Sequence, residues 1–130
     1  MRFMMFMYPE IAEEDWNPTA EDVAEMSRYN EELRKAGMLL SLDGLHPPAE
    51  GARVKFDSAG EKTVTDGPFA EAREVVGGYW LIEARSKEEA LEWASRVPGR
   101  DCMVEVRRVF EMEDFSEDVQ AAVEQEFGGP

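Results

Sequence analysis

Two segments of this sequence are apolar on both sides when drawn as strands, and they constrain the fold more than any other feature. In the first, from Arg2 to Tyr8, apolar side chains fill both the odd and the even positions. The second, from Tyr79 to Ala84, is apolar on both faces apart from Glu83. Successive side chains of a strand point to opposite faces, so both strands should lie centrally in a sheet that is covered on both sides.

Two amphipathic helices are predicted between the strands. The first opens at Thr19, which has capping-box spacing with Asp22, and it stops at Gly37. The second opens at Ser86, with Glu89 three residues on, and it stops at Pro98-Gly99. The predicted buried stripes are Val23, Met26, Tyr29 or Asn30, Leu33 and Ala36 in the first helix, and Ala90, Trp93, Ala94 and Val97 in the second.

The remaining elements complete two β-α-β units. Short strands are predicted at Met38–Leu42 and Met103–Phe110, and a half-exposed hairpin at Ala52–Thr65 lies between the units. An acidic helix at about 116–127 closes the chain. This order predicts an α+β ferredoxin-like core (about 1–110) with both helices on one face of the sheet, within a single domain spanning 1–130.

The sheet of such a fold has one face without helices, although both central strands are apolar on both sides. Burial of that face requires a second sheet. An identical chain related by a two-fold axis is the simplest source, so the sequence predicts a homodimer.

Charge and composition exclude several functions. The net charge of −15 and the pI near 4.4 repel phosphate backbones and anionic lipid heads, so we expect neither nucleic-acid nor membrane binding. No apolar run approaches the roughly 18 residues that span a bilayer. The lone Cys102 fits a reducing cytoplasm. No phosphate-binding glycine loop or metal-ligand spacing is present, so no cofactor or metal is predicted.

Few residues are candidates for chemistry. His46, the only histidine, lies before Pro47-Pro48 and is a candidate general base or ligand-binding group; the alternative is a solvated loop histidine. Asp66 is a candidate partner, although an aspartate before glycine commonly bonds its own turn. Arg73 is a candidate pocket residue or a member of a surface ion-pair cluster. Tyr79 is a candidate to line a cavity between sheets.

Two short segments carry a family resemblance. The DGPF segment starting at Asp66 and the GLHP segment starting at Gly44 resemble the DGPF-containing branch of the YCII-related proteins, and the likeness extends from Met1 to Phe115. The resemblance implies a dimeric α+β barrel built from ferredoxin-like subunits, with a pocket near the interface between the sheets. It also implies a genomic association with extracytoplasmic-function sigma factors.

The resemblance transfers only two site residues. The wider family has been proposed to act through a histidine of the first helix and an aspartate, but this sequence has Met26, Tyr29 and Asn30 in the region of that histidine. Asp66 matches the aspartate of the DGPF segment, and His46 matches the GLHP position.

Two hypotheses about function follow. The first is a cytoplasmic homodimer that binds a small molecule in an interfacial pocket, with His46 and Asp66 as polar anchors or as an acid/base pair and with Arg73 and Tyr79 nearby. The second is a non-enzymatic regulatory protein, linked to a sigma factor, whose acidic C-terminal helix binds a protein partner. Whether the chain is an enzyme stays open.

Overall fold

Strands and helices follow one another in the order expected from the sequence. The structure, a computed structural model, describes residues 1–68 and 75–126. Its strands are β1 (Arg2–Pro9), β2 (Leu39–Gly44), β3 (Ala52–Phe56), β4 (Lys62–Asp66), β5 (Gly78–Glu83) and β6 (Cys102–Arg108), and its helices are α1 (Ala20–Lys35), α2 (Lys87–Ala94) and α3 (Glu117–Glu126).

Four of the strands form an antiparallel sheet in the order β2-β5-β1-β6, with β1 and β5 at its centre. This order, with two helices packed on one face, is that of a ferredoxin-like α+β fold, as predicted. One end of the sheet, here called the Pro9 end, also carries Gly44, Gly78 and Cys102. The opposite end, here called the Arg2 end, carries Leu39, Glu83 and Arg108.

The core lies between the sheet and helices α1 and α2. Phe3 and Met5 of β1 stand beside Ile82 and Trp80 of β5, and all four side chains are buried. The helices contribute the buried side chains of Tyr29, Leu33 and Ala90 and the partly buried Met26, Trp93 and Ala94. Helix α2 ends at Ala94, before the predicted end at Pro98-Gly99, and Val97 packs on the core from the segment that follows the helix. These residues confirm most of the two predicted stripes.

Two residues of the first predicted stripe are exposed instead. Val23 is 52% exposed because it lies in the first turn of α1, before the helix reaches the residues that pack on the sheet. Ala36 is the C-terminal capping residue and is also exposed. The stripe therefore begins at Met26 and ends at Leu33.

The predicted helix starts are confirmed. The Thr19 hydroxyl accepts from the Asp22 backbone N–H at 3.1 Å, and the Asp22 carboxylate accepts from the Thr19 N–H at 3.1 Å. Those bonds lower the pKa of Asp22. At α2 the Ser86 hydroxyl accepts from the Glu89 N–H, but the Glu89 carboxylate accepts from the N–H of Arg85 rather than that of Ser86.

Strands β3 and β4 form a separate two-stranded sheet, the hairpin, inserted between β2 and β5. The prediction of a half-exposed hairpin is wrong, since all ten of its strand residues are exposed. Apolar and polar residues of β3 do alternate between the two faces of the hairpin, but the apolar face has no covering layer within the described chain. The longest helix of the described residues, α1, has 16 residues, and no described helix has the length and apolarity to cross a membrane.

Candidate functional site

The second face of the four-stranded sheet, here called the open face, is the first part of the candidate site. Its centre is formed by Met4 and Phe6 of β1 and by Tyr79 and Leu81 of β5, which are paired across the two strands. Within residues 1–68 and 75–126, no helix packs extensively on this face. These side chains are only partly buried, so the open face presents an apolar patch.

One polar pair stands at the edge of this patch. The Tyr79 hydroxyl donates a hydrogen bond to Asp43 Oδ2 at 2.7 Å, and the two residues are directly paired across β2 and β5. Because the hydrogen bond favours the protonated phenol, Asp43 raises the pKa of Tyr79. The predicted cavity residue Tyr79 therefore has a fixed carboxylate neighbour on the open face.

Asp43 was missed in the sequence because it precedes a glycine and is typical of a turn. In the structure it is still part of β2, and an irregularity in the pairing between Leu39 and Ser41 sets the register that brings it opposite Tyr79. Such a shift of register leaves no clear mark in the sequence. The only available signal was the proximity of Asp43 to the GLHP segment.

His46 lies in the loop that leaves β2 at the Pro9 end. The Leu45 N–H donates to the Gly77 carbonyl at 2.9 Å, and the Ala49 N–H donates to the Glu13 carboxylate at 2.6 Å. These bonds hold the loop on both sides of His46, and a short 3-10 helix at Pro48–Glu50 follows. The His46 side chain itself is exposed.

The DGPF corner packs directly on this loop. The Gly67 N–H donates to the Gly51 carbonyl at 2.9 Å, and a Cβ on Gly67 would lie 1.7 Å from the Pro48 carbonyl oxygen. Only glycine allows the two backbones to approach this closely. The Gly67–Pro68 peptide bond is cis.

The structure therefore brings the segments of His46 and Asp66 together at the Pro9 end without joining their side chains. Asp66 ends β4 opposite Ala52 and is exposed. Among the described residues, no side-chain hydrogen bond or ion pair reaches His46 or Asp66. Arg73 lies outside the described residues.

The region of the family's helix histidine has a structural role in this chain. The Tyr29 hydroxyl donates to the Trp93 carbonyl at 2.7 Å, and burial raises the pKa of Tyr29. The Trp80 indole N–H donates to Asn30 Oδ1 at 2.8 Å. Both residues hold α1 against the core, on the face of the sheet opposite Tyr79 and Asp43.

Trp16 packs at the Pro9 end beside the two loops. A Cβ on Gly77 would lie 2.6 Å from Pro9 Cγ and 3.7 Å from the Trp16 ring, so the glycine is closely covered. The Trp16 ring is partly buried, and its indole N–H meets no hydrogen-bond acceptor among the described residues. These contacts pack Trp16 on its own subunit.

Two clefts are found at the Arg2 end of the sheet. The larger, about 480 Å³, is lined by residues that include Met1, Met38, Arg85 and Trp93, and the smaller, about 330 Å³, by Met1, Arg2, Glu83, Glu111 and Glu113. Neither cleft is lined by His46, Asp66 or Tyr79. Within the described residues, no group of three or more His, Cys, Asp or Glu side chains is arranged to hold a metal ion.

The fold and the site define a ferredoxin-like α+β protein with an inserted hairpin and a polar pair on an open sheet face. The chain belongs to the YCII-related family, since the model of the YCII-related domain matches residues 1–113. It is also similar to an uncharacterised protein from Rhizobium meliloti (strain 1021), at 39% identity over 70 residues. That match covers 54% of this chain and 56% of the relative's length.

Proposed function

We propose that this chain forms a cytoplasmic homodimer through its open face, and that the space between the two sheets binds a small molecule. The observation that carries the proposal is the Tyr79–Asp43 hydrogen bond beside an apolar patch. A cavity of this kind, with an apolar wall and a few fixed polar groups, is typical of small-molecule sites.

The open face supports the dimer. Met4, Phe6 and Leu81 form a contiguous patch at the centre of the sheet, and Leu40 and Met103 at its edges are 50% and 46% exposed. An apolar patch on a sheet without a covering layer is typical of an interaction surface. A two-fold axis would place the same patch on both partners, as an isologous interface requires.

The polar pair indicates the class of ligand. The Tyr79 hydroxyl hydrogen is already used in the bond to Asp43, so this pair offers a ligand only acceptor lone pairs. The chain's net charge of −15 further disfavours anions. The ligand group that meets this pair is therefore a neutral or cationic hydrogen-bond donor, carried on an apolar body.

Benzylamine and benzoate test this proposal as matched probes, because they share a ring and differ in the charge of the polar group. We expect benzylamine to cause saturable NMR shifts of Tyr79 and its neighbours, and benzoate to cause none. Asp43→Asn should remove the preference for benzylamine, whereas Glu88→Gln on the exposed side of α2 should keep it. Equal binding of both probes, or saturable binding of neither, would contradict the proposal, as would a monomer in light scattering.

In the sharper form of the proposal, His46 and Asp66 lie at the rim of this cavity as polar anchors and act as an acid/base pair. Its support is the backbone contact between Gly67 and Pro48, which fixes the two segments beside each other. Because His46 is the only histidine, its imidazole NMR signals are unambiguous. These signals should shift on saturation with benzylamine and also in the Asp66→Asn variant. Signals that respond to neither change would contradict the proposed His46–Asp66 pair.

A second candidate function uses the acidic helix. Helix α3 has no buried residue, and from Val109 onward the sequence contains no Lys or Arg. As a regulatory protein, for example one coupled to a sigma factor, the chain would present this helix to a protein partner. Deletion of residues 116–130 should then abolish capture of that partner and leave the dimer intact.

A further inference from the structure

One row of paired residues crosses the open face from one edge of the sheet to the other. Asp43 of β2 is paired with Tyr79 of β5. Tyr79 is paired with Phe6 of β1, and Phe6 with Glu105 of β6. Residues paired directly across neighbouring strands share a face of the sheet. The row therefore places a carboxylate on each edge strand and two aromatic side chains between them.

The Glu105 side chain is partly buried and carries an uncompensated charge. Among the described residues, no hydrogen bond or ion pair reaches its carboxylate. A carboxylate that loses contact with water must gain a cation or hydrogen-bond donors in exchange. Covering the open face would desolvate Glu105 further, so a positively charged group is expected to meet it there.

Two arginines lie on the same face, and neither compensates Glu105. Arg2 donates to the Glu111 carboxylate at 2.6 Å. Arg107 lies in the next row, two residues along β6 from Glu105, and is exposed; the described chain contains no ion pair between the two. The row that begins at Asp43 therefore keeps a negative charge at each of its ends.

The width of the sheet sets the spacing between these two charges. Neighbouring strands lie about 4.8 Å apart, so the three steps from β2 to β6 separate the Cα atoms of Asp43 and Glu105 by about 14 Å. Side chains stand roughly perpendicular to a sheet, and a charge-assisted hydrogen bond takes up about 2.8 Å at each end. The remaining distance of about 8–9 Å is close to that between the two nitrogens of an extended hexamethylenediamine.

The surface between the two carboxylates is apolar and aromatic. Phe6 and Tyr79 stand side by side, and Met4 and Leu81 form the next row. An alkyl chain can lie on this surface, and an ammonium group close to an aromatic ring gains from cation–π attraction. The net charge of −15 favours a dication over a monocation of the same length.

We infer that Glu105 is a second anchor of the proposed open-face site, and that the ligand is an aliphatic diamine whose two ammonium groups reach Asp43 and Glu105. This second anchor rests on the proposed function, since it belongs to the same site, and it adds a second charge and a length to the ligand. All members of the row belong to one sheet of one chain, so the two anchors do not depend on how two subunits are arranged.

Hexamethylenediamine and hexylamine are matched probes, because they share an alkyl body and differ by one ammonium group. NMR titration of the full-length protein should give a dissociation constant about fivefold lower for the diamine. Trimethylenediamine is too short to span the row and should show no such gain over propylamine. In Glu105→Gln the ratio for the longer pair should fall to about two, the statistical factor for two equivalent ends, whereas Glu88→Gln should keep the wild-type ratio.

The outcomes separate the second anchor from the site itself. Binding of benzylamine by wild type without a gain for hexamethylenediamine overturns the second anchor and leaves the proposed function in place. An undiminished gain in Glu105→Gln also overturns the second anchor. A gain that appears only in Arg107→Gln would show that Arg107 neutralises Glu105 in the native chain, and it overturns the anchor as well. Failure of wild type to bind benzylamine, hexylamine and the diamine overturns the site and the anchor together.

Discussion

The two faces of the four-stranded sheet have similar sequences and different surroundings. On one face, Met5 and Ile82 are completely buried beneath the helices. On the other, Phe6 and Leu81, their neighbours along the same strands, are only partly buried. The apolar pattern of a strand therefore predicts that both of its faces are buried. It does not predict whether each face is buried by the same chain or by another one.

The largest expected effect comes from shortening one side chain on each face. Ile82→Ala should lower the free energy of unfolding by about 2–5 kcal/mol, because it leaves a cavity among closely packed side chains. Leu81→Ala should lower it much less in dilute protein, where the open face is solvated. Urea denaturation of both variants measures the difference.

Protein concentration sharpens this comparison. Assembly stabilises the folded state by mass action, so the free energy of unfolding should rise with protein concentration. This rise should be smaller for Leu81→Ala than for wild type, and it should be the same for Ile82→Ala as for wild type. Equal losses for the two variants at every concentration would mean that the two faces are covered alike within the single chain.

A second expected effect concerns the contact between the DGPF corner and the GLHP loop. Gly67→Ala places a Cβ 1.7 Å from a backbone oxygen, so one of the two segments must move, at a cost of about 1–3 kcal/mol. Gly60→Ala is the matched control: its φ of +84° is unfavourable for alanine, but a Cβ meets no atom within 4 Å. Hydrogen exchange of the hairpin amides should accelerate across the whole hairpin in Gly67→Ala and near the turn alone in Gly60→Ala.

The close contact between Gly67 and Pro48 illustrates which features of the fold could be predicted from the sequence and which could not. Periodicity and capping residues predicted the strand order and the helix starts, because these depend on neighbours in the chain. The closeness of Gly67 to Pro48 was not predicted, since it depends on how two loops fold onto each other. The pairing of Asp43 with Tyr79 was missed for the same reason, because it depends on an irregular strand register.

The hairpin shows a second limit of the sequence. Its alternating residues predicted two paired strands correctly, but the expected burial of one face is absent in the single chain. Alternation reveals which side chains share a face. It does not reveal whether that face meets the same chain, a second copy or solvent.

A smaller effect comes from removing one hydroxyl on each face. Tyr29→Phe removes one of two hydrogen bonds that the Trp93 carbonyl accepts, the other coming from the Arg96 N–H at 3.1 Å, and should cost about 0.5–1.5 kcal/mol. Tyr79→Phe leaves the exposed Asp43 carboxylate to water and should change the unfolding free energy by at most about 0.5 kcal/mol. Thermal denaturation checks both values, and a large loss in Tyr79→Phe would show that the open-face pair stabilises the fold.

The smallest expected effect is a pH dependence at the Arg2 end of the open face. The Arg2 guanidinium donates to the Glu111 carboxylate at 2.6 Å and lowers the pKa of that carboxyl. A carboxyl whose pKa is lower in the folded state stabilises the fold above its unfolded pKa of about 4.3, and that contribution is lost as the pH falls through the folded value. Glu111→Gln should therefore be slightly less stable than wild type at pH 7, and its stability should decline less steeply below about pH 4.5.

Arg2 and Glu111 are both substantially exposed, so the difference in stability between Glu111→Gln and wild type should shrink in high salt. Glu113→Gln is the control, since no ion pair within the described chain involves Glu113. Identical acid-denaturation curves for Glu111→Gln and wild type would mean that the Arg2–Glu111 ion pair is broken in solution. The segment around Glu111 would then be held against β1 by packing alone.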